Sequence, residues 1–303
     1  MTSTESPPET SPDPPTKIAA DKILLLGVGN TALALADLIH KINSSSTDSV
    51  LLSGTTRSAA KKEVLAASGI VPLLDDGQRF SLDLIEAAAD EACVLISYPP
   101  DASGASDRRY APLLTSAAKI VYISSTGVYD GIEGAIDEAT ALPDQPSEGA
   151  RLRLASEDFW RERGACVLRA PGLYGPESGL HLRLLAGSYS IPGDGSNYVS
   201  RIHLDDLAAI IAAAFVRAED GALYLVGDLK PAQHLEVVGW LCEKLSLPLP
   251  PFLPLNAVPP TLRGNRRIDA SLLRKDFGLD LRYPTYVEGF SDCLRRCSAL
   301  RQS

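Results

Sequence analysis

The chain has 303 residues, of which 45% are hydrophobic and 22% charged, an ordinary globular composition with room for one large domain or two lobes. Asp and Glu number 38 against 29 Lys and Arg, and the resulting net charge of −9 argues against non-specific binding to nucleic acid or to anionic membrane surfaces. Fibrous and disordered classes are excluded, no apolar run reaches the length of a membrane span, and a small molecule is the better partner.

Met1 to Thr16 consists of Ser, Thr, Pro and acidic residues with no Lys or Arg, so it lacks the apolar core of a signal peptide and the arginines of a transit peptide. A disordered tail is expected over residues 1–20, on a cytoplasmic protein. The first element then reads Lys22-Ile-Leu-Leu-Leu-Gly27-Val-Gly29-Asn30-Thr31-Ala32. An apolar run from Ile23 to Leu26 suits a parallel strand buried on both faces, and the Ala/Leu-rich segment after Thr31 suits a helix. Gly27 permits a tight turn, Gly29 lets a pyrophosphate approach the backbone, and Ala32 leaves space for close helix-to-strand packing. Asn30 and Thr31 complete the turn at a helix N-terminus, which faces the anion.

Val50 to Ser53 is a second strand, followed by Gly54-Thr-Thr-Arg57. No carboxylate ends this strand to hold a ribose 2′-hydroxyl, while Arg57, backed by Lys61 and Lys62, suits a 2′-phosphate or else a solvated helix start. Ile70 to Leu74 is a third strand, and Ser81 caps a helix to Ala89. Ala92 to Ser97 is a fourth strand whose end, Tyr98-Pro99-Pro100, either lines a cofactor crevice or simply stops the strand. Lys119 to Ser125 is a buried strand ending in the hydroxyls of Ser124 and Ser125, with Tyr129 four residues on. A helix spans Ala150 to Arg163, a sixth strand Ala165 to Arg169, and an Ala-rich helix begins at Arg201-Ile-His203-Leu-Asp205-Asp206, with either Asp as its N-cap. His203 more often orders a loop in such a setting than acts as a base. Leu223 to Val226 returns to the main sheet, His234 to Leu245 is an amphipathic helix, and the prolines of Leu247 to Pro254 make a loop. Asp269 to Arg274 is a further helix, and Arg266 and Arg267 before it are either anion ligands or solvated. Cys93, Cys166, Cys242, Cys293 and Cys297 form no C-x-x-C pair, so neither a disulfide nor a metal site is expected.

Four stretches carry a family resemblance: Gly27-x-Gly29-x-x-Ala32, Ser124-Ser125-Thr-Gly-Val-Tyr129, Leu168-Arg-Ala-Pro171-Gly172-Leu-Tyr174-Gly-Pro176 and Arg201-Ile-His203-Leu-Asp205-Asp206. In this order they resemble the extended and atypical short-chain dehydrogenase/reductases, and within them the NAD-dependent epimerase/dehydratase branch. The resemblance implies an α/β Rossmann fold, a doubly wound parallel sheet over residues 21–175. It also implies a small C-terminal substrate lobe over residues 176–303, from which 201–227 returns to the Rossmann core. Tyr98 and Pro99, Ser124, and Pro171, Gly172 and Tyr174 would border the cofactor, and Ser125 matches the active-site Ser/Thr. Redox members pair Tyr and Lys as Tyr-x-x-x-Lys on the next helix, where the Lys lowers the Tyr pKa. Here Gly149 and Arg153 stand at those places, and Arg holds a ribose hydroxyl but cannot act as a base. The candidate catalytic set is therefore Ser125, Tyr129 and Arg153, with Tyr129 either the acid or a packed aromatic whose tip is bonded. The expected function is an NADP(H)-binding oxidoreductase or epimerase-like protein, NAD being possible, acting on a sugar nucleotide or related carbonyl compound. The alternative is a non-catalytic NADP(H)-binding or sensing protein. Oligomeric state is not legible.

Overall fold

The computed structural model describes residues 20–45, 49–76 and 78–301, so the tail expected over residues 1–20 lies, apart from Ala20, outside the described residues. The strand Lys22–Leu26 (β1) sends Ile23 and Leu25 into one apolar core and Leu24 and Leu26 into another, as the two-residue period of a strand requires. All four are buried, which is why the run is unbroken rather than alternating. β1 lies within a seven-stranded sheet with Leu51–Thr56 (β2), Val71–Leu74 (β3), Cys93–Ile96 (β4), Lys119–Ser125 (β5), Cys166–Ala170 (β6) and Leu223–Leu225 (β7). The spatial order is β7-β6-β5-β4-β1-β2-β3, every neighbouring pair is parallel, and the order reverses between β1 and β4. This is the expected Rossmann arrangement, and it opens a crevice at the carboxyl ends of β1 and β4.

The helices are Asn30–Ser44 (α1), Lys61–Ala67 (α2), Arg79–Ala89 (α3), Ala105–Tyr110 (α4), Glu148–Arg161 (α5), Leu180–Leu185 (α6), Leu204–Arg217 (α7), His234–Leu245 (α8), Ser271–Phe277 (α9) and Tyr286–Arg296 (α10). Leu35 and Ile39 of α1 and Ile210 and Ile211 of α7 cover one face of the sheet, while Ile85 of α3 and Trp160 of α5 cover the other. Leu273 and Phe277 of α9 also join the first core. A separate apolar cluster gathers Tyr174, Tyr189, Val237, Leu241 and Phe290, and it forms the centre of the second lobe. Short strand pairs frame this lobe: Gly134–Ile136 with Arg266–Ile268, Gly172–Tyr174 with Arg201–His203, and Tyr198–Val199 with Ala232–Gln233.

Three local expectations are corrected. α3 starts earlier than a Ser81 cap would place it: Gln78 is the N-cap, entered through an Asx turn in which Asp76 Oδ1 accepts from Gln78 N at 2.9 Å, and Ser81 is buried inside the helix. Neither Asp205 nor Asp206 caps α7, because the His203 ring accepts from Asp205 N at 3.1 Å and serves as cap. The Asp206 carboxylate instead accepts from the backbone of Arg282 and Tyr283, at 2.8 and 3.0 Å. Within the proline-rich loop, Phe252–Leu253 pairs as a short strand with Ile191–Pro192, and Pro251 takes part by accepting from Ile191 N at 2.9 Å, which needs no N–H of its own. All five cysteines are buried free thiols, and the fold brings His203 Nε2 to 3.5 Å from Cys293 Sγ.

The helix α5 is fixed to the sheet by a buried ion pair. Arg169 of β6 donates to Glu157 through Nε at 3.0 and 3.1 Å and through Nη2 at 2.6 Å, and its Nη1 donates to the Tyr129 hydroxyl at 2.7 Å. Ser124 also donates to Glu157. Their side chains are 7% and 2% exposed, so removing one partner leaves the other buried and uncompensated. Arg169→Met is expected to cost about 3–5 kcal/mol in urea unfolding, whereas Arg169→Met combined with Glu157→Met recovers most of that loss. Additive losses in the double variant would show that the pair is not the unit of stability.

Candidate active site

Gly27 has φ +85°, and a Cβ there would lie 2.9 Å from Tyr98 N, so both backbone conformation and space demand glycine. Thr55 Oγ1 accepts from Gly27 N at 3.2 Å and Ser97 Oγ donates to Gly27 O at 2.6 Å, which pins the turn from β2 and β4. Gly29 differs: a Cβ there would meet nothing within 4 Å, so the space above it is open. Gly29 is the N-cap of α1, no side chain caps the helix, and its first turn carries no acid. Asn30, Thr31 and Ala32 follow in that turn, leaving backbone N–H groups that suit an anion. A pyrophosphate therefore fits.

Tyr98 stands beside this turn with its hydroxyl donating to Asp107 at 2.8 Å, and Asp107 is itself tied to α5 by Ser156 Oγ at 2.5 Å and Trp160 Nε1 at 2.9 Å. Pro99 follows it at the sheet's carboxyl edge, exposed. β2 ends without a carboxylate, and Arg57 is exposed just beyond it, with no ion pair among the described residues. Lys61 and Lys62 are likewise exposed at the start of α2.

A cavity of about 650 Å³ opens between the sheet edge and the second lobe. Ser125, Pro171, Gly172 and Tyr174 line it; Ser124, Tyr129 and Arg153 do not. Ser125 Oγ accepts from Gly127 N at 3.0 Å, capping the short turn Thr126–Tyr129. Tyr129 is fully buried behind this wall with Arg169 on its hydroxyl, and burial raises its pKa. Of the two expectations for Tyr129, the packed aromatic with a bonded tip describes where it lies. Ser124 is committed to Glu157. Arg153 lies over β5, donating to the Tyr122 hydroxyl at 3.3 Å and to Ile123 O at 3.4 Å. At Gly149, where the resembling enzymes carry Tyr, a Cβ would meet nothing within 4 Å. Tyr174 is buried with its ring 4.3 Å from that of Phe290, so it belongs to the lobe's core as much as to the cavity.

Arg201, His234, Tyr189, Tyr198 and Arg183 also line the cavity, and sequence reasoning did not assign them to a site. Arg183 and Tyr189 come from one stretch, Tyr198 and Arg201 from a second and His234 from a third, and no motif joins the three. Burial, with Arg201 and Arg183 nearby, pushes the His234 pKa down to about 4, so its ring is neutral at neutral pH and its Nδ1 lies 3.0 Å from Asn197 Oδ1. His203 is fully buried, outside the cavity lining, so it orders structure rather than meeting a ligand there. Arg266 lines the cavity while donating to Tyr129 O at 2.8 Å, and Arg267 stacks over the Tyr198 ring at 5.1 Å. Among the described residues no cluster of His, Cys, Asp and Glu could hold a metal, and no helix is long and apolar enough to cross a membrane.

No family model matches the chain. Over 227 residues it is 25% identical to Protein YeeZ of Escherichia coli K12, a match covering 67% of this chain and 75% of that one. A 3-diazoavenalumate denitrifying reductase of Streptomyces is 34% identical over 104 residues, 32% of this chain and 34% of that protein. Among solved structures, a functionally unknown conserved protein from Silicibacter pomeroyi superposes with a TM-score of 0.77 at 29% identity, over 91% of this chain and 99% of that one. A putative NAD-dependent epimerase/dehydratase from Methylobacillus flagellatus gives a TM-score of 0.68 at 25% identity, over 92% and 98%. At 18% identity, the UDP-glucuronic acid 4-epimerase of Bacillus cereus, solved with UDP-glucuronic acid and NAD, shares the fold with a TM-score of 0.69 over 93% and 99% of the two chains. The solved structures that the chain resembles thus include NAD-dependent epimerase/dehydratase family members, and the chain has their fold.

Proposed function

We propose that the chain is an NADP(H)-dependent oxidoreductase or epimerase-like protein acting on a sugar nucleotide or a related carbonyl compound in the cavity beside Ser125. The observation that carries this reading is the uncapped N-terminus of α1 with open space above Gly29. Neighbouring structures solved with NAD support a nicotinamide dinucleotide as the group bound there. Such a group, when bound, supplies a carbon that donates or accepts hydride. The backbone of Asn30 to Ala32 would hold the pyrophosphate, Tyr98 and Pro99 would wall the crevice, and Arg57 would pair with a 2′-phosphate.

Ser125, at the end of β5 and in the cavity wall, is the hydroxyl placed to orient a substrate oxygen. Arg153 binds ribose without exchanging protons, since a guanidinium stays protonated. With Gly149 offering no side chain and Tyr129 buried on Arg169, no phenol on these two positions moves a proton at the reacting oxygen. Such a group is worth about 10²–10⁴ in rate, so slow turnover follows from the reading. The same two positions favour a second reading, a protein that binds NADP(H) without turnover.

Titration of both cofactors is expected to show NADP(H) bound more tightly than NAD(H), with Arg57→Ala removing about 1–3 kcal/mol of the preference. Equal affinities in the wild type would overturn the 2′-phosphate assignment. Assayed against carbonyl compounds and nucleotide sugars, the protein should show weak turnover that falls further in Ser125→Ala. Brisk turnover surviving both Ser125→Ala and Tyr129→Phe would place the chemistry on other groups.

A further inference from the structure

We infer that the cavity takes an organic carboxylic acid with an apolar or aromatic body, its carboxylate held by Arg201, rather than a sugar nucleotide. The inference rests on the proposed function for the site and narrows its substrate class. The first support is electrostatic. In a chain of net charge −9, the cavity is lined by Arg183, Arg201 and Arg266 and by no Asp or Glu. Such a lining draws anions.

The second support is Arg201 itself. It is 6% exposed, its guanidinium donates to Val199 O at 2.9 Å through Nη1, and no carboxylate among the described residues lies within 4.0 Å of it. A buried guanidinium with so few acceptors is costly, and a carboxylate can meet two of its N–H groups at once. The Tyr174 ring also lines the cavity, with its buried hydroxyl packed against Gly289 of α10. Arg201 also feels the charge of Asp228, but that carboxyl does not pair with it and one of its oxygens is itself unpartnered.

The third support is the character of the wall. No Asn, Gln, Asp, Glu or Lys side chain lines the cavity. Leu173, Leu180, Leu182, Leu262, Ile268 and Phe290 form much of the remaining wall. A wall without amide or carboxylate side chains has few groups that read a base edge, whereas an aromatic ring or alkyl chain is well placed on its apolar part.

The test uses the full chain and calorimetric titration with trans-cinnamate, its neutral amide, and UDP-glucose, each with and without saturating NADP⁺. Cinnamate is expected to bind about tenfold or more tightly than the amide and more tightly than UDP-glucose. Arg201→Met should lose about tenfold or more for cinnamate while its affinity for NADP⁺ stays within twofold, the latter showing that the fold is intact. Equal binding of acid and amide, tighter binding of UDP-glucose, or no binding of cinnamate at millimolar concentration would overturn the inference. Failure of the proposed cofactor reading shows separately, as absent NADP⁺ binding with the preference for acid over amide unchanged.

Discussion

A carboxylate buried between a helix and a sheet is tolerated only where donors converge on it, and Glu157 meets that condition with Arg169 and Ser124. Much of the site hangs from this contact. Glu157 sits on α5, Ser124 at the end of β5 and Arg169 in β6, so one cluster fixes the carboxyl edge of two strands against the helix that covers them. The spare nitrogen of Arg169 reaches the Tyr129 hydroxyl, and the Tyr129 carbonyl in turn accepts from Arg266 in the cavity wall. The turn carrying Ser125 is therefore held from behind. Its hydroxyl can meet a ligand because its neighbour Ser124, not Ser125, is spent on the core.

Charge is distributed in the opposite sense to composition. Around the second lobe, acids and bases are paired: Arg296 with Asp205 and Asp292, and Lys230 with Glu236. The cavity keeps its arginines apart from this pairing. Asp228, whose charge bears on Arg201, has its pKa pushed up to about 7 by burial, so at neutral pH it is only partly ionised and cancels the guanidinium only in part. An acidic protein thus keeps a positive interior surface, and the excess of acids outside limits the attraction to small anions able to enter.

Much of the fold could be read from local pattern because its signals are local. The four buried residues of β1, the turn at Gly27 and Gly29, and the Ala-rich α7 each announce themselves within a dozen residues. The misplaced helix starts share a cause: at α3 an Asx turn from Asp76, and at α7 the imidazole of His203, supply the cap, while the residues that resemble caps are used elsewhere. The cavity was less legible. Arg201 reads in sequence as part of a motif at a helix start, and His234 as the first residue of an amphipathic helix. Only the closing of the second lobe against β5 and β6 brings both to one wall, and nothing in their spacing signals it.

The same helix keeps its packing apart from the position where the resembling enzymes carry Tyr. Gly149, Arg153, Ser156, Glu157 and Trp160 follow one another at helical spacing and share the face of α5 turned to the sheet. They divide along its axis. Ser156, Glu157 and Trp160, in the later turns, carry the bonds to Asp107 and Arg169 that seat the helix. Gly149 lies about 12 Å earlier, at 1.5 Å per residue, in a first turn already closed by Ser147, whose hydroxyl accepts from Ala150 N at 3.4 Å. Open space surrounds it, so neither a side chain nor its absence is felt by the core. Arg153 stands between these two zones and bonds to β5 through Tyr122 and Ile123, keeping a fixed positive charge where a lysine would tune a phenol. Helix packing is thus secured by one end of α5 and the sheet, while the residue at Gly149 takes no part in it.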